Sequence, residues 1–170
     1  MLTPHGSFLV IDPDNAAHRP SVGILITGDS GIGKSHTALA LIDRGHALVA
    51  DDAPSITRHA DGLLYGTCPA SIQNLLEVRG LGILHVRELF GVRTLISKHR
   101  LDLIIHLIAA SQTQPPLAIA SQQRLAGHWE TREILHVATP MLILQTQPAP
   151  MLALLIETAV RHYTLKQRQV

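Results

Sequence analysis

The chain has 170 residues, of which 46% are hydrophobic and 16% are charged, and its formal net charge is +1. This length suffices for one domain with a substantial core, so we predict a single domain over residues 1–170. The composition excludes a disordered chain, and the near-neutral charge argues against nucleic acid as a partner. Because no apolar run has membrane-spanning length, no signal peptide is recognisable and Cys68 is the single cysteine, we expect a cytoplasmic protein without a membrane partner.

The first elements in chain order are two apolar, partly β-branched segments, residues 7–11 and 22–27. The turn-forming residues 12–15 lie between them, so we predict a β-hairpin with a long tip. A helix is predicted over residues 34–44 from the spacing of its apolar side chains, and Gly45 suits a left-handed C-cap.

Residues 46–50 form a short apolar segment that is followed directly by Asp51 and Asp52. This pattern is typical of a buried parallel strand whose carboxyl end opens into an active-site crevice. Weaker strands are predicted at residues 55–59 and 63–66, with a hairpin turn between them.

Three further strands are predicted in apolar segments, at residues 75–78, 83–86 and 101–108. The glycines of Arg79-Gly80-Leu81-Gly82 permit a sharp turn between the first two, and residues 111–116 indicate a loop. An amphipathic helix follows Pro150, and its apolar stripe is expected to pack on its own domain. Hairpins at both flanks interrupt the alternation of strand and helix, so we predict an α/β fold with a mixed sheet.

The most specific motif is G-x-x-x-x-G-K-[ST], which comprises Gly28, Asp29, Ser30, Gly31, Ile32, Gly33, Lys34 and Ser35. A glycine-rich turn that enters a helix directs backbone N–H groups and the positive end of the helix dipole at one point, where a phosphate fits. Lys34 would reach the β- and γ-phosphates, and the Ser35 hydroxyl would complete the shell of a Mg²⁺ ion. The motif predicts a phosphorylated nucleotide or another polyphosphate as ligand.

Phosphoryl transfer needs such a cradle, a metal ion and a group that positions or deprotonates the acceptor. We predict that Ser35 holds the metal together with Asp52 or Glu77, and that Asp51 is the base. Arg79, between a carboxylate and two glycines, is suited to contact phosphate. The structural alternative for the two aspartates is a solvated strand end.

Taken together, several separated segments resemble the catalytic C-terminal domain of bacterial HPr kinase/phosphorylase. The matching segments are His5-Gly6, residues 28–35, 44–52, 76–83, 88–91 and, weakly, 130–135. The stretch Glu77-Val78-Arg79-Gly80-Leu81-Gly82-Ile83 is the family's own signature. The resemblance implies an α/β P-loop nucleotide-binding domain with a mixed β-sheet, of the HPr kinase and PEP carboxykinase-like type.

The resemblance also implies an activity. Members of the family use ATP and Mg²⁺, and in some cases pyrophosphate, to phosphorylate a serine of HPr, the phosphocarrier protein of the sugar phosphotransferase system. They also reverse the reaction with inorganic phosphate, and a homo-hexamer is implied. The functional residues carried over are Asp51 as base and acid with Asp52 beside it, Lys34 of the phosphate loop, Ser35 and Glu77 as magnesium ligands, and His5 and Arg124 as further catalytic residues.

The chain departs from the longer family members in three respects. These 170 residues contain no counterpart of the separate N-terminal domain, so we expect a shortened form of the family. His36 stands where the longer members have glutamate, and the non-basic residues 144–150 replace a basic loop associated with phosphorolysis. We therefore expect chiefly kinase activity, with weak or absent reversal. Two alternatives remain open, namely a P-loop kinase of another acceptor and a nucleotide-sensing module that has lost catalysis.

Overall fold

The computed structural model describes residues 1–12, 20–109 and 127–168. Its regular elements, in chain order, are β1 (Ser7–Ile11), β2 (Val22–Gly28), α1 (Lys34–Asp43), β3 (Ala47–Ala50), β4 (Ser55–Arg58), β5 (Leu64–Thr67), β6 (Leu75–Val78), β7 (Gly82–His85), α2 (Val86–Phe90), β8 (Lys98–Arg100), β9 (Leu103–Ile108), β10 (His128–Ile134), β11 (Val137–Gln145) and α3 (Ala149–Gln167). No helix of these described residues is long and apolar enough to cross a membrane.

The centre of the fold is a six-stranded mixed sheet with the order β10-β11-β9-β2-β1-β3. Strands β2, β9 and β11 pair in parallel, whereas β1, β3 and β10 each pair antiparallel with their neighbours. The predicted mixed α/β sheet is confirmed, and so is the central position of the strand after residue 101. That strand begins at Leu103, because the backbone N–H of Leu101 is bonded instead to the carbonyl of Leu64 at 2.9 Å.

Side chains that alternate along the strands form a core on each face of this sheet. On one face Leu9, Ile24 and Ile26 of β1 and β2 pack with Leu41 of α1 and Ile156 of α3. The other face carries a second cluster, which includes Phe8, Val10, Leu25, Ile56 and Leu64 and involves the small sheet β4-β5-β8. The buried stripe of α3 thus packs within the described part of the chain, as its periodicity predicted.

The β1–β2 hairpin and α1 agree with the sequence prediction. Ser7 pairs with Ile26 and Ile11 pairs with Val22 in an antiparallel register, while residues 13–19 lie outside the described part. The backbone of Gly45 has a φ of 95°, and its N–H donates to the Ile42 carbonyl at 2.9 Å, which is the expected left-handed helix cap.

The prediction that residues 46–50 form a parallel strand is wrong in its pairing. Strand β3 lies at the edge of the sheet and pairs antiparallel with β1. Because β1 is antiparallel to both β2 and β3, strands β2 and β3 run in the same direction, and their carboxyl ends lie on the same side of the sheet. Asp51 and Asp52 therefore still follow a strand that ends beside the phosphate loop.

Some elements were not predicted from the sequence. Strand β8 has only the polar side chains Lys-His-Arg, and β10 has the polar sequence His-Trp-Glu-Thr-Arg-Glu-Ile, so neither shows a hydrophobic period. The predicted hairpins of β4 with β5 and of the segments around Gly80 are present, although Val86 begins α2 and does not end β7. The predicted loop at 111–116 lies outside the described residues.

Candidate active site

The phosphate loop connects β2 to α1 in a conformation that depends on its glycines. The φ angles of Gly28, Gly31 and Gly33 are 141°, 78° and 104°, which lie in a region that side-chain-bearing residues rarely adopt. A Cβ on Gly28 would also lie 2.6 Å from the carbonyl oxygen of Leu107 on the neighbouring strand β9. The glycine spacing of the motif therefore reflects both backbone geometry and close strand packing.

Lys34, the first residue of α1, is buried and folds back across the loop. Its Nζ atom donates hydrogen bonds of 3.0 Å to the carbonyl oxygens of Gly28 and Asp29. Burial lowers the pKa of this ammonium group, while the negative charges of nearby Asp52, Asp51 and Asp29 act in the opposite direction. The Lys34 ammonium group therefore lies within the loop that would bind the phosphates.

Asp51 follows β3 and is only 6% exposed. Its Oδ2 atom accepts a hydrogen bond of 3.1 Å from Ser35 Oγ, and its Oδ1 atom accepts one of 2.5 Å from Ser7 Oγ. Burial raises the pKa of this carboxyl, whereas the bonds from Ser7, Ser35 and the backbone N–H groups of Glu77 and Asp52 lower it. Burial is the larger effect.

Asp52 has a different environment from its neighbour. Its backbone φ is 69°, and its side chain is exposed, with Oδ1 2.6 Å from His5 Nδ1. The backbone N–H of Gly6 donates to the Asp52 carbonyl at 3.1 Å, which fixes the His5 segment beside it. The left-handed backbone turns the two successive carboxylates apart, so one is enclosed and the other is open to solvent.

These groups surround a cleft with a cavity volume of about 200 Å³. The cleft is lined by His5, Gly6, Ser30, Gly31, Gly33, Lys34, Ser35, His36, Asp51, Asp52, Glu77 and Arg79. Glu77 lies on β6, and Arg79 follows it in the turn to β7, where Gly80 and Gly82 have φ angles of 94° and 82°. A Cβ on Gly31 would lie 3.5 Å from an Nη atom of Arg79, so this guanidinium covers the phosphate loop.

The oxygen-rich side of the cleft fits a magnesium ion held jointly with a nucleotide. Ser35, Asp51, Asp52 and Glu77 supply hydroxyl and carboxylate oxygens around the end of the loop. Among the residues that the structure describes, no group of three or more His, Cys, Asp or Glu side chains is close enough to hold a metal ion alone. Mg²⁺ characteristically binds through one or two protein oxygens, with phosphates and waters completing its octahedron, so this donor set suits it.

Most of the predicted site residues therefore meet at this cleft, namely His5, Ser30, Gly31, Gly33, Lys34, Ser35, Asp51, Asp52, Glu77 and Arg79. The other predicted loop residues, Gly28, Asp29 and Ile32, belong to the phosphate loop but do not line the cleft. Arg124 lies outside the described residues. Sequence reasoning missed Ser7, whose hydroxyl contacts Asp51 from β1. A serine directly after His5-Gly6 was the available signal in the sequence, but its burial and its partner 44 positions away depend on strand register.

Comparison with known proteins agrees with this geometry. The family model for the HPr Serine kinase C-terminal domain matches residues 18–170, which is most of the chain. The chain belongs to the HPr serine kinase family. Membership explains why the phosphate loop and the signature around Arg79 occur together, and it confirms the resemblance inferred from the separated segments.

Individual relatives of this HPr serine kinase family member cover nearly all of the chain. The HPr kinase/phosphorylase of Xylella fastidiosa (strain M12) is 42% identical over 168 residues, which are 99% of this chain and 50% of the relative. The HPr kinase/phosphorylase of Stenotrophomonas maltophilia (strain K279a) is 45% identical over 150 residues, covering 88% of this chain and 46% of the relative. The chain thus spans about half the length of the curated relatives it matches.

A solved structure supports the same fold. The Hpr(Ser) kinase/phosphatase from Coxiella burnetii superposes with a TM-score of 0.84 at 36% sequence identity. The superposition covers 99% of this chain and 94% of that one. The P-loop α/β architecture predicted from the sequence is therefore that of an HPr kinase.

Proposed function

We propose that this chain is an ATP- and Mg²⁺-dependent protein-serine kinase domain that phosphorylates HPr or a paralogue of HPr. The observation that carries the proposal is the cleft in which Lys34 and Ser35 of the phosphate loop face two carboxylates in different environments. The names of the relatives support HPr as acceptor, and no feature of the cleft by itself selects the acceptor hydroxyl.

In the proposed reaction, the N–H groups of residues 28–35 bind the nucleotide phosphates. Lys34 exchanges its bonds with the carbonyls of Gly28 and Asp29 for bonds with phosphate oxygens, and Arg79 contacts the phosphates from the β6–β7 turn. Mg²⁺ would be held by Ser35 and Glu77, and it would offset charge on the β- and γ-phosphates. The loop supplies binding and orientation.

The environments of the two aspartates favour exchanging the roles first predicted for them. Both oxygens of Asp51 accept hydrogen bonds from hydroxyl groups, one from buried Ser7 and one from the half-buried Ser35, which is the proposed magnesium ligand, so Asp51 is suited to organise the metal side. Asp52 is exposed to the cleft and paired with His5, so it can receive a proton from an incoming serine. We therefore propose that Asp52 is the base. The alternative is the assignment predicted first, in which Asp51 is the base and Asp52 is a metal ligand.

Proton and phosphoryl transfers then balance in each direction. The acceptor serine oxygen forms a bond to the γ-phosphorus, its proton passes to Asp52, and the bond to the β-phosphate oxygen breaks to release ADP. In the reverse direction, an oxygen of inorganic phosphate forms a bond to the seryl phosphorus, the bond from that phosphorus to the serine oxygen breaks, and protonated Asp52 gives its proton to the serine oxygen, which yields serine and pyrophosphate. The non-basic residues 144–150, which run from the end of β11 into the start of α3, support a protein that acts chiefly in the first direction.

The test measures two quantities, Mg²⁺-dependent binding of ATP and transfer of γ-labelled phosphate to purified HPr. With D52N we expect binding within about twofold of the unsubstituted chain but a transfer rate reduced by about 10²–10⁴-fold, which is the usual contribution of a general base. With D51N we expect ATP binding to lose its dependence on Mg²⁺. HPr with its phosphorylatable serine replaced by alanine is the control acceptor.

The outcomes separate the competing functions. If D51N bound ATP normally but transferred no phosphate, and D52N bound Mg²⁺ more weakly, Asp51 would be the base and Asp52 a metal ligand, as predicted first. Transfer to another acceptor but not to HPr would indicate a different P-loop kinase, and binding without any transfer would indicate a nucleotide sensor. Rapid release of pyrophosphate from serine-phosphorylated HPr and inorganic phosphate would contradict the expected weak reversal.

We also propose that residues 1–170 act as one catalytic domain, in the cytoplasm, and assemble as a homo-hexamer. One face of α3 is buried in the core, but the other exposes Met151, Leu154, Leu155 and Leu165, each at least 39% accessible. Such an apolar face supports an interface between copies. Light scattering on the purified chain tests the assembly, and a monomeric mass at micromolar concentration would contradict it.

A further inference from the structure

Ser7 is a buried polar residue outside the motifs that define the site. It is the first residue of β1, is 1% exposed, and donates its hydroxyl hydrogen to Asp51 Oδ1 at an oxygen–oxygen distance of 2.5 Å. We propose that Ser7 is a positioning residue that orients the Asp51 carboxylate toward Ser35 and so prepares the Mg²⁺–nucleotide site. This inference rests on the proposed function, because it assigns Ser7 a role in the same metal site.

The register of two edge strands explains why a hydroxyl lies at this position. Phe8 of β1 pairs antiparallel with Ala50 of β3. In the same register, the next pair toward the strand ends is Ser7 with Asp51. The pair after that is Gly6 with Asp52, and the Gly6 N–H donates to the Asp52 carbonyl. Ser7 follows the same two-residue alternation as Leu9 and Ile11, which face α1, so its hydroxyl is directed at the start of that helix.

The bond restricts how the carboxylate can turn. An ionised carboxylate only accepts hydrogen bonds, and a buried one is costly unless donors surround it. With Ser7 on Oδ1, the Oδ2 atom remains directed at Ser35 Oγ, 3.1 Å away. Without the Ser7 hydroxyl, Oδ1 loses a donor in a place that solvent hardly reaches, and the carboxylate is free to rotate toward other donors and away from Ser35.

Groups behind a metal ligand commonly control metal affinity as well as folding stability. A purely structural serine would lower the melting temperature without changing how much Mg²⁺ the nucleotide complex requires. A positioning serine would change the Mg²⁺ requirement specifically. The two roles are therefore separated by measuring metal-dependent nucleotide binding and thermal stability on the same variants.

The experiment titrates Mg²⁺ against a fluorescent ATP analogue bound to the full chain, and it measures thermal unfolding in parallel. S7A removes the hydroxyl, S7C keeps the size with a much weaker donor, and S7T keeps the hydroxyl. T94V is the matched control, since Thr94 is also buried and its hydroxyl donates to the Gly91 carbonyl at 2.7 Å outside the cleft.

For S7A and S7C we expect the half-saturating Mg²⁺ concentration to rise about tenfold, while nucleotide binding in EDTA changes by less than about twofold. S7T should restore the Mg²⁺ requirement, and T94V should leave it unchanged. S7C keeps the test decisive if S7A does not fold. An unchanged Mg²⁺ requirement in S7A or S7C, or an equal shift in S7T, would overturn the inference. Absence of Mg²⁺-dependent binding in the unsubstituted chain would instead refute the proposed function.

Discussion

Ser35 and Asp51 are joined by a hydrogen bond of 3.1 Å between Oγ and Oδ2. The bond connects the first turn of α1 to the end of β3, so it ties the phosphate loop directly to one of the two aspartates. Because Asp52 diverges from this contact through its positive φ, the site presents one enclosed and one accessible carboxylate.

Replacing Lys34 with methionine should weaken ATP binding without unfolding the chain. Hydrogen bonds to charged groups are worth about 1.5–3 kcal/mol, so we expect affinity to fall roughly 10–100-fold. Stability should be unchanged or higher, since the substitution removes an ammonium whose pKa is lowered by burial. Calorimetric titration with ATP tests the first part and thermal unfolding the second. K98M, at an exposed lysine on β8, is the control, and equal affinity losses in both variants would contradict the prediction.

The D51N substitution should stabilise the fold at neutral pH. Burial raises the pKa of Asp51 in the folded state, so ionisation of this carboxyl disfavours folding. The penalty is absent below the ordinary aspartate pKa of about 3.9 and complete above the raised folded value. The stability gain of D51N should therefore grow as pH rises from 4 to 7 in urea unfolding experiments. A gain that is constant with pH, or a loss at pH 7, would contradict this sign.

Glu157 of α3 should contribute stability that depends on pH in the opposite sense. Arg44 binds its carboxylate in a bidentate pair, with Nε–Oε1 at 2.7 Å and Nη2–Oε2 at 2.6 Å, and His46 Nε2 lies 2.9 Å from Oε1. The Arg44 hydrogen bonds are the main reason that the pKa of Glu157 is lowered. A lowered acid pKa stabilises the fold above the ordinary glutamate value of about 4.3, and this contribution is lost as pH falls through the folded value.

The E157Q variant should accordingly lose about 2 kcal/mol at pH 7, less than for a fully buried pair because the Arg44 side chain is 42% exposed. The difference from the unsubstituted chain should shrink toward pH 4. E130Q is the matched control, since Glu130 also pairs with a histidine, His128, at 3.0 Å but on an exposed strand. A similar loss of unfolding free energy in both variants would contradict the stabilising role assigned to the contacts of Glu157 with Arg44 and His46.

Replacing His136 with glycine, in the turn between β10 and β11, should increase the stability of the fold. Leu135 and His136 have φ angles of 47° and 62°, and the His136 side chain is 88% exposed. A left-handed backbone costs a residue with a side chain about 1–2 kcal/mol, and the flexibility of glycine in the unfolded chain offsets part of the relief. We expect H136G to raise the free energy of unfolding by about 0.5–1 kcal/mol. H136A should give no gain, because alanine keeps the strain, and equal effects of the two substitutions would contradict this explanation.

Sequence reasoning was accurate where the decisive information was local. The turn residues after β1 and the glycine cap of α1 act within a few positions, so the hairpin and helix could be predicted. The apolar run of β9 indicated a central strand for the same reason. Strands β8 and β10 escaped prediction because polar sequences on exposed strands have no hydrophobic period.

The sequence by itself determined the phosphate loop, the pair Asp51-Asp52 and the signature around Arg79, because each depends on residue types at short, fixed spacing. Only the tertiary structure decided that β3 pairs with β1, that Ser7 therefore bonds to Asp51, and that the two aspartates differ in exposure. These outcomes depend on register and burial between segments tens of residues apart. Such contacts follow from the packing of the whole sheet, which no local pattern encodes.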